Sequence, residues 1–494
     1  MPQWLERSKL VDTWSKDSNW MGYVAVSDDE ETRRIGRRDI VVAWRGTVAP
    51  TEWYEDLQWK LEPYGHGDAK VEHGFHSIYT SKNDSTRYNK SSASEQVIKE
   101  VTRLVELYRV DPLHPWLRRE IIKYGEFAQA TYDAFDFDSH SEYCGSCRYN
   151  RHKLFETLGL SRNGYKVSKY IYAMSHVNMP QWLERSKLVD TWSKDSNWMG
   201  YVAVSDDEET RRIGRRDIVV AWRGTVAPTE WYEDLQWKLE PYGHGDAKVE
   251  HGFHSIYTSK NDSTRYNKSS ASEQVIKEVT RLVELYREKG EDVSLTITGH
   301  SLGGALALLN AYEAASTIPN LPVSVISFGA PRFGNIAFRD ELHQLGVKTF
   351  RVVTKQDVVP WMPGPVYTHA GAELKLDVHS SPYLKRGLNW PGFRSLETYL
   401  HLVDGFVSTT STFREDARRD VALVNKACDM LVDELRIPHC WYQLANKGLV
   451  CNAHGRWVKP KRDPGDIPSP HMQENINVPA LEARMQTQDV HKPL

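Results

Sequence analysis

Two rhythms of apolar residues run through the chain. In one, Val293, Leu295 and Ile297 alternate with Asp292, Ser294, Thr296 and Thr298, the period of a β-strand. It gives way to an alanine- and leucine-rich stretch over residues 302–315, which reads as a helix. Further strands are expected over residues 166–173, 200–204, 216–222, 323–328 and 347–354. A helix follows the turn at residues 111–115, with Leu117, Ile121, Tyr124, Ala128 and Thr131 or Tyr132 on one face. Another begins where Ser270 and Glu273 form a capping box, and Val275, Val279, Leu282, Val283 and Tyr286 continue it at helical spacing. Strand and helix signals that alternate in this way predict the α/β class, a mainly parallel sheet with helices on both faces.

A repeat changes the domain count. Of the 494 residues, 1–109 recur without a change as 179–287. Units of a solenoid are short and diverged, so this copy reads as a recent tandem exon duplication or an error in assembling the gene sequence, and not as an architecture. Residues 1–109 are expected to be a redundant, incompletely folded partial segment. Residues 110–458 form the expected α/β domain, and 459–494, with repeated prolines and few apolar clusters, a mobile tail.

A formal net charge of −3 and the lack of any long apolar run argue against a membrane span and against an electrostatic grip on nucleic acid. Contact with a lipid surface stays open. Five cysteines, with one C-x-x-C at Cys144 and Cys147 and no second pair at metal spacing, indicate neither a disulfide framework nor a zinc site. The first residues lack the basic start and apolar core of a signal peptide.

Between the strand ending at Thr298 and the following helix stands Gly299-His300-Ser301-Leu302-Gly303, a G-x-S-x-G turn. Alone the motif arises by chance; a strand before it and a helix after it supply the context it requires. Ser301 is therefore the candidate nucleophile, with Gly299 and Gly303 where a side chain would collide with its neighbours.

A serine hydroxyl needs a base to take its proton and a carboxylate to orient that base. In this fold class the partners follow in the order Ser, acid, His. Asp357, on a loop just past a predicted strand, is the expected acid, whereas Asp340 falls in a helical pattern. The expected base is His401, flanked by apolar residues and by Gly405. Spacing alone leaves His379 open. Residues 229–237 form a short helix candidate, either a packed surface helix or a lid whose Trp231, Tyr232 and Leu235 would turn toward lipid.

Trp222-Arg223-Gly224-Thr225, Gly299-His300-Ser301-Leu302-Gly303-Gly304, Phe328-Gly329-Ala330-Pro331-Arg332, Gln356-Asp357-Val358-Val359-Pro360 and Leu400-His401 together resemble the class 3 lipases. The stretch 111–137, Cys144-Gly145-Ser146-Cys147 and Gly455-Arg456-Trp457-Val458 look more closely like plant phospholipases A1 of the plastid group. The resemblance implies an α/β-hydrolase fold and a triad of Ser301, Asp357 and His401. It also implies an oxyanion site from Thr225 and the backbone N–H of Leu302. It further implies cleavage of the sn-1 acyl ester of phospholipids, with galactolipids or triacylglycerols as further substrates, and no metal or organic cofactor. The partner would be a membrane lipid or lipid-droplet surface and not a nucleic acid, and the location a plastid. Between residues 363 and 374 the chain is shorter than that family's pattern. A lipid acyltransferase and a non-catalytic lipase-like binding protein are the competing expectations.

Overall fold

The structure, a computed structural model, describes residues 112–138, 140–174, 196–225, 238–409, 411–414, 417–443 and 448–468, together with residue 80 and four short strands before them. It divides into two compact units, Met1–Leu113 and His114–Leu494.

In the first unit, β1 (Gly22–Val26) pairs antiparallel with β2 (Ile40–Trp44), and β3 (Leu61–Pro63) with β4 (Lys70–Glu72). Val41 and Trp44 are about half exposed, at 51% and 47%. Residues 94–108, the copy of the helix expected after Ser270, lie outside the described residues.

The second unit is built on seven strands. In chain order they are β5 (Tyr165–Ala173), β6 (Asn197–Ser205), β7 (Arg216–Trp222), β10 (Val293–His300), β11 (Val323–Phe328), β12 (Lys348–Thr354) and β13 (Ala372–Leu376). Between β7 and β10 lies a small hairpin of β8 (Leu239–Pro241) and β9 (Lys248–Glu250). Across the sheet the order is β13-β12-β11-β10-β7-β6-β5. The run from β13 to β7 is parallel, and β6 and β5 close the edge antiparallel.

The central strands β7 and β10 are buried on both faces: β7 is apolar from Ile218 to Trp222, whereas β10 alternates, with its buried Ser294 and Thr296 donating to Asp217 and Thr298 to the Tyr124 carbonyl. Over one face lie α3 (His251–Thr258), α4 (Ala271–Glu288) and α5 (Leu302–Thr317). Helix α1 (Pro115–Asp133) packs on β7, β10 and β11, and on α8 (Leu396–Gly405), which also touches β12 and β13. Both halves of the capping box form: Ser270 Oγ accepts from the Glu273 N–H, and Glu273 accepts from the Ser270 N–H. Helix α5 is apolar around most of its circumference because it is enclosed by β7, β10 and β11 and by α3 and α4.

The copy of β2 in this unit is β7, in which Val219 and Trp222 have no exposure at all. The register is the same in both copies, Gly22 opposite Trp44 and Gly200 opposite Trp222. What differs is the neighbour on the other side: β7 has β10 there.

Of the tail expected over residues 459–494, the described part, 459–468, is not mobile. Arg462 is buried and donates from Nη2 to Asp136 at 2.6 Å, and Asn150 binds Gly465 and Asp466, so these residues pack on the domain. Residues 469–494 lie outside the described residues.

Candidate active site

Strand β10 ends at His300 and α5 begins at Leu302, so Ser301 is the single residue that reverses the chain. It does so at φ 55°, ψ −126°, a backbone conformation that side chains seldom tolerate. The two flanking glycines are demanded by close approach: a Cβ on Gly299 would lie 2.2 Å from the Gly303 oxygen, and one on Gly303 would lie 2.4 Å from the Trp222 oxygen. The Ser301 N–H is tied to the Phe328 carbonyl, which fixes the turn to β11.

At the end of β7 the chain runs Arg223-Gly224-Thr225 beside this turn. Arg223 is buried, stacks 3.7 Å over Phe135 and donates to the Trp198 and Gly224 carbonyls, so it pins the loop. Burial pulls its guanidinium down to about 10. A Cβ on Gly224 would come within 2.5 Å of the His300 oxygen, so the loop lies directly against the elbow. Among the described residues, the buried Thr225 hydroxyl has no hydrogen-bond partner. Such a donor is costly to leave unmade unless a ligand takes it.

Asp357 follows β12 and is almost wholly buried. Its Oδ2 accepts from Tyr399 Oη at 2.7 Å and its Oδ1 from the Val359 N–H at 3.0 Å. Burial raises its carboxyl above the ordinary range, and the nearby Arg394 guanidinium works against that rise. Asp340, by contrast, stands in α6 (Ile336–Gln344) with Arg339 and is half exposed.

His401 is not brought to this group. Its Nε2 shares a proton with Ser381 Oγ at 2.8 Å, and its ring packs on Phe413 and Tyr383. Burial pulls it down to about 4. The reason is helical phase. Tyr399 on α8 reaches Asp357, and a residue two positions on is turned roughly 200° around the same helix, away from it. His379 is half exposed, with its N–H on Asp377.

The side chain that does stand between Ser301 and Asp357 is Arg394, the last residue of the short helix α7 (Trp390–Arg394). Its Nη2 donates to Ser301 Oγ at 3.4 Å and its Nε lies 3.7 Å from Asp357 Oδ1. Neither Arg394 nor Tyr399 follows from the sequence motifs. No spacing rule marks an arginine in Phe-Arg-Ser as buried.

His300, inside the elbow, has its Nδ1 on Tyr132 Oη at 2.7 Å, and burial together with Arg394 pushes it down to about 3. The lid residues Trp231, Tyr232 and Leu235 lie outside the described residues. Leu302 opens α5, so its N–H is one of the helix's unpaired first-turn donors by position.

A serine on a strand–turn–helix elbow, with a buried acid on a later strand of a mainly parallel sheet, defines a serine hydrolase of the α/β-hydrolase fold. The family model for lipase (class 3) matches residues 41–112 and 219–367. Phospholipase A1-Igamma1, chloroplastic, of Arabidopsis thaliana is 47% identical over 389 residues, covering 72% of this chain and 76% of that protein. Phospholipase A1-II 1 of Oryza sativa subsp. indica is 41% identical over 360 residues, covering 70% and 91%. Among solved structures, the Rhizomucor miehei lipase propeptide complex is similar at 20% identity and a TM-score of 0.38, over 53% of this chain and 68% of that one. The chain belongs to the class 3 lipases, with plant phospholipases A1 among its relatives. It is a serine carboxylic ester hydrolase with lipid substrates, and three of its relatives are named as chloroplastic.

Proposed function

We propose that the chain hydrolyses the sn-1 acyl ester of glycerophospholipids at a membrane or lipid-droplet surface, through an acyl-enzyme on Ser301. The observation that carries this is the elbow at Ser301 beside an unpartnered, buried Thr225 hydroxyl. The serine oxygen attacks the acyl carbonyl. Negative charge then grows on the carbonyl oxygen, where the Thr225 hydroxyl and the Leu302 N–H at the positive end of α5 would receive it. Collapse releases the lysolipid, and water releases the fatty acid.

A lipid surface fits the exposed apolar residues on the loops that lead to the site. Val358, Trp361 and Val366 follow Asp357, while Leu388 and Trp390 precede Arg394, with Leu388 exposed by 86%. Such residues gain free energy on leaving water for the headgroup region.

The test is release of fatty acid and lysolipid from defined vesicles of phospholipid, and in parallel of galactolipid and triacylglycerol. The expected result is lysolipid retaining its sn-2 chain, with both product release and covalent phosphonate labelling lost in Ser301→Ala. Label on another residue, or acyl release undiminished by that substitution, would overturn the reading. Transfer of the acyl group to an added alcohol in place of water would show an acyltransferase instead.

A further inference from the structure

Resting on the serine-hydrolase reading, we propose that Arg394 occupies the place of the general base in this site and holds Ser301 in a low-turnover state. The attack forms a bond from Oγ to the acyl carbon and breaks the Oγ–H bond, so a proton must leave. A base between nucleophile and acid takes that proton and returns it to the departing alcohol. The side chain found there has five N–H donors and no acceptor. It gives a hydrogen bond to a lone pair of Oγ, the electrons the attack needs, and places its charge beside the carboxylate that would otherwise orient an imidazole.

The described histidines nearby have other partners. His300 Nδ1 is on Tyr132, His369 Nε2 on the Pro360 carbonyl, and His401 Nε2 on Ser381. Among the described residues, no imidazole is hydrogen-bonded to Ser301 Oγ. Asp357 is also held from behind, by the Val359 N–H and the Tyr399 hydroxyl, in the way an orienting carboxylate needs. Among the described residues the site thus has a nucleophile, an acid and an oxyanion loop, and lacks a base hydrogen-bonded to Ser301.

With Arg394 in place, the proton of Oγ goes to hydroxide or water, and the leaving alkoxide takes one from water. An imidazole at that position would instead carry the proton from Oγ to the lysolipid, and then from the hydrolytic water back to Oγ.

The experiment compares the full chain with Arg394→His, Arg394→Ala, His401→Gln and Ser301→Ala. It measures fatty-acid release from phosphatidylcholine vesicles across pH 5 to 9 and the rate at which a phosphonate ester labels Ser301, with thermal melting as the check on folding. Arg394→His is expected to raise both rates by about 10²–10⁴-fold, the usual contribution of a positioned base. It should also introduce an inflection in the pH profile at the imidazole's titration that the parent chain lacks. Arg394→Ala should gain rate with added imidazole while the parent chain does not, which keeps the test alive if Arg394→His does not fold. His401→Gln should leave the parent's rates within a few-fold.

The proposal falls if the parent chain already shows the inflection and both Arg394 variants lose activity, or if His401→Gln abolishes turnover in folded protein. Faster phosphonate labelling in Arg394→His with no lipid hydrolysed by any variant would uphold the role of Arg394 and overturn the lipid reading alone.

Discussion

Thr225 shows how much one side-chain oxygen can decide. Its hydroxyl is buried beside the nucleophile's turn with no hydrogen-bond partner among the described residues, at the end of a loop that Arg223 pins. Replacing it by valine keeps the shape and removes the donor. Turnover should then fall by about 10²-fold or more, with KM little changed, since the bond is made mainly in the transition state. An equal fall in affinity with kcat intact would show that Thr225 only fits the substrate. At this scale the sequence was readable where chemistry follows a strand end: Ser301 after β10, Thr225 after β7 and Asp357 after β12 all lie where the motifs place them. The place between Ser301 and Asp357 was not readable: His401 looked suitable because of its apolar neighbours, but its ring is hydrogen-bonded to Ser381 and packed on Phe413.

Elements account for that difference. Apolar runs and alternation located six of the seven sheet strands to within a few residues, whereas the edge strand β13, half exposed and carrying Glu373 and Lys375, gave no such signal. The capping box located α4 to the residue, since two side chains and two backbone groups must coincide. What a pattern does not carry is phase between elements. Ser395, in extended backbone, separates α7 from α8, and this break turns Arg394 and Tyr399 toward Asp357 while His401 faces elsewhere. The segment past residue 459 likewise has a loop-like composition and is nonetheless anchored, through Arg462 on Asp136 and through Gly465 and Asp466 on Asn150. One buried ion pair is invisible to composition.

For the molecule as a whole, three buried histidines set its response to acid. Burial holds His300 and His369 near 3 and His401 near 4, against about 6.5 in an unfolded chain. The folded state therefore binds fewer protons than the unfolded one between these limits. Stability is complete above about pH 6.5 and drains away as pH falls toward 4, by roughly 1.4 kcal/mol per pH unit for each histidine. Glu250 and Glu397, whose carboxyls burial lifts to about 7, act in the opposite sense, two groups against three. The urea midpoint should drop from pH 6.5 to 4.5 by the net effect of about one histidine. A flat profile over that range would show that these rings are protonated in the fold.

The repeated strand has a consequence for how this molecule reaches its fold. During synthesis both β2 and β7 have been made before β10 appears, and the two are identical from Ile40 to Trp44 and from Ile218 to Trp222. The place beside β10 fits either. Loop closure favours the nearer copy by only about 1 kcal/mol, because the penalty grows with the logarithm of length. A sizeable minority of chains would thus begin along the wrong branch and have to retreat. Refolding from urea should show a slow phase in the full chain that disappears when residues 1–109 are deleted; persistence of that phase would place its origin elsewhere. In this protein the competitor for a folding step is encoded within the same chain, at equal concentration and with perfect complementarity.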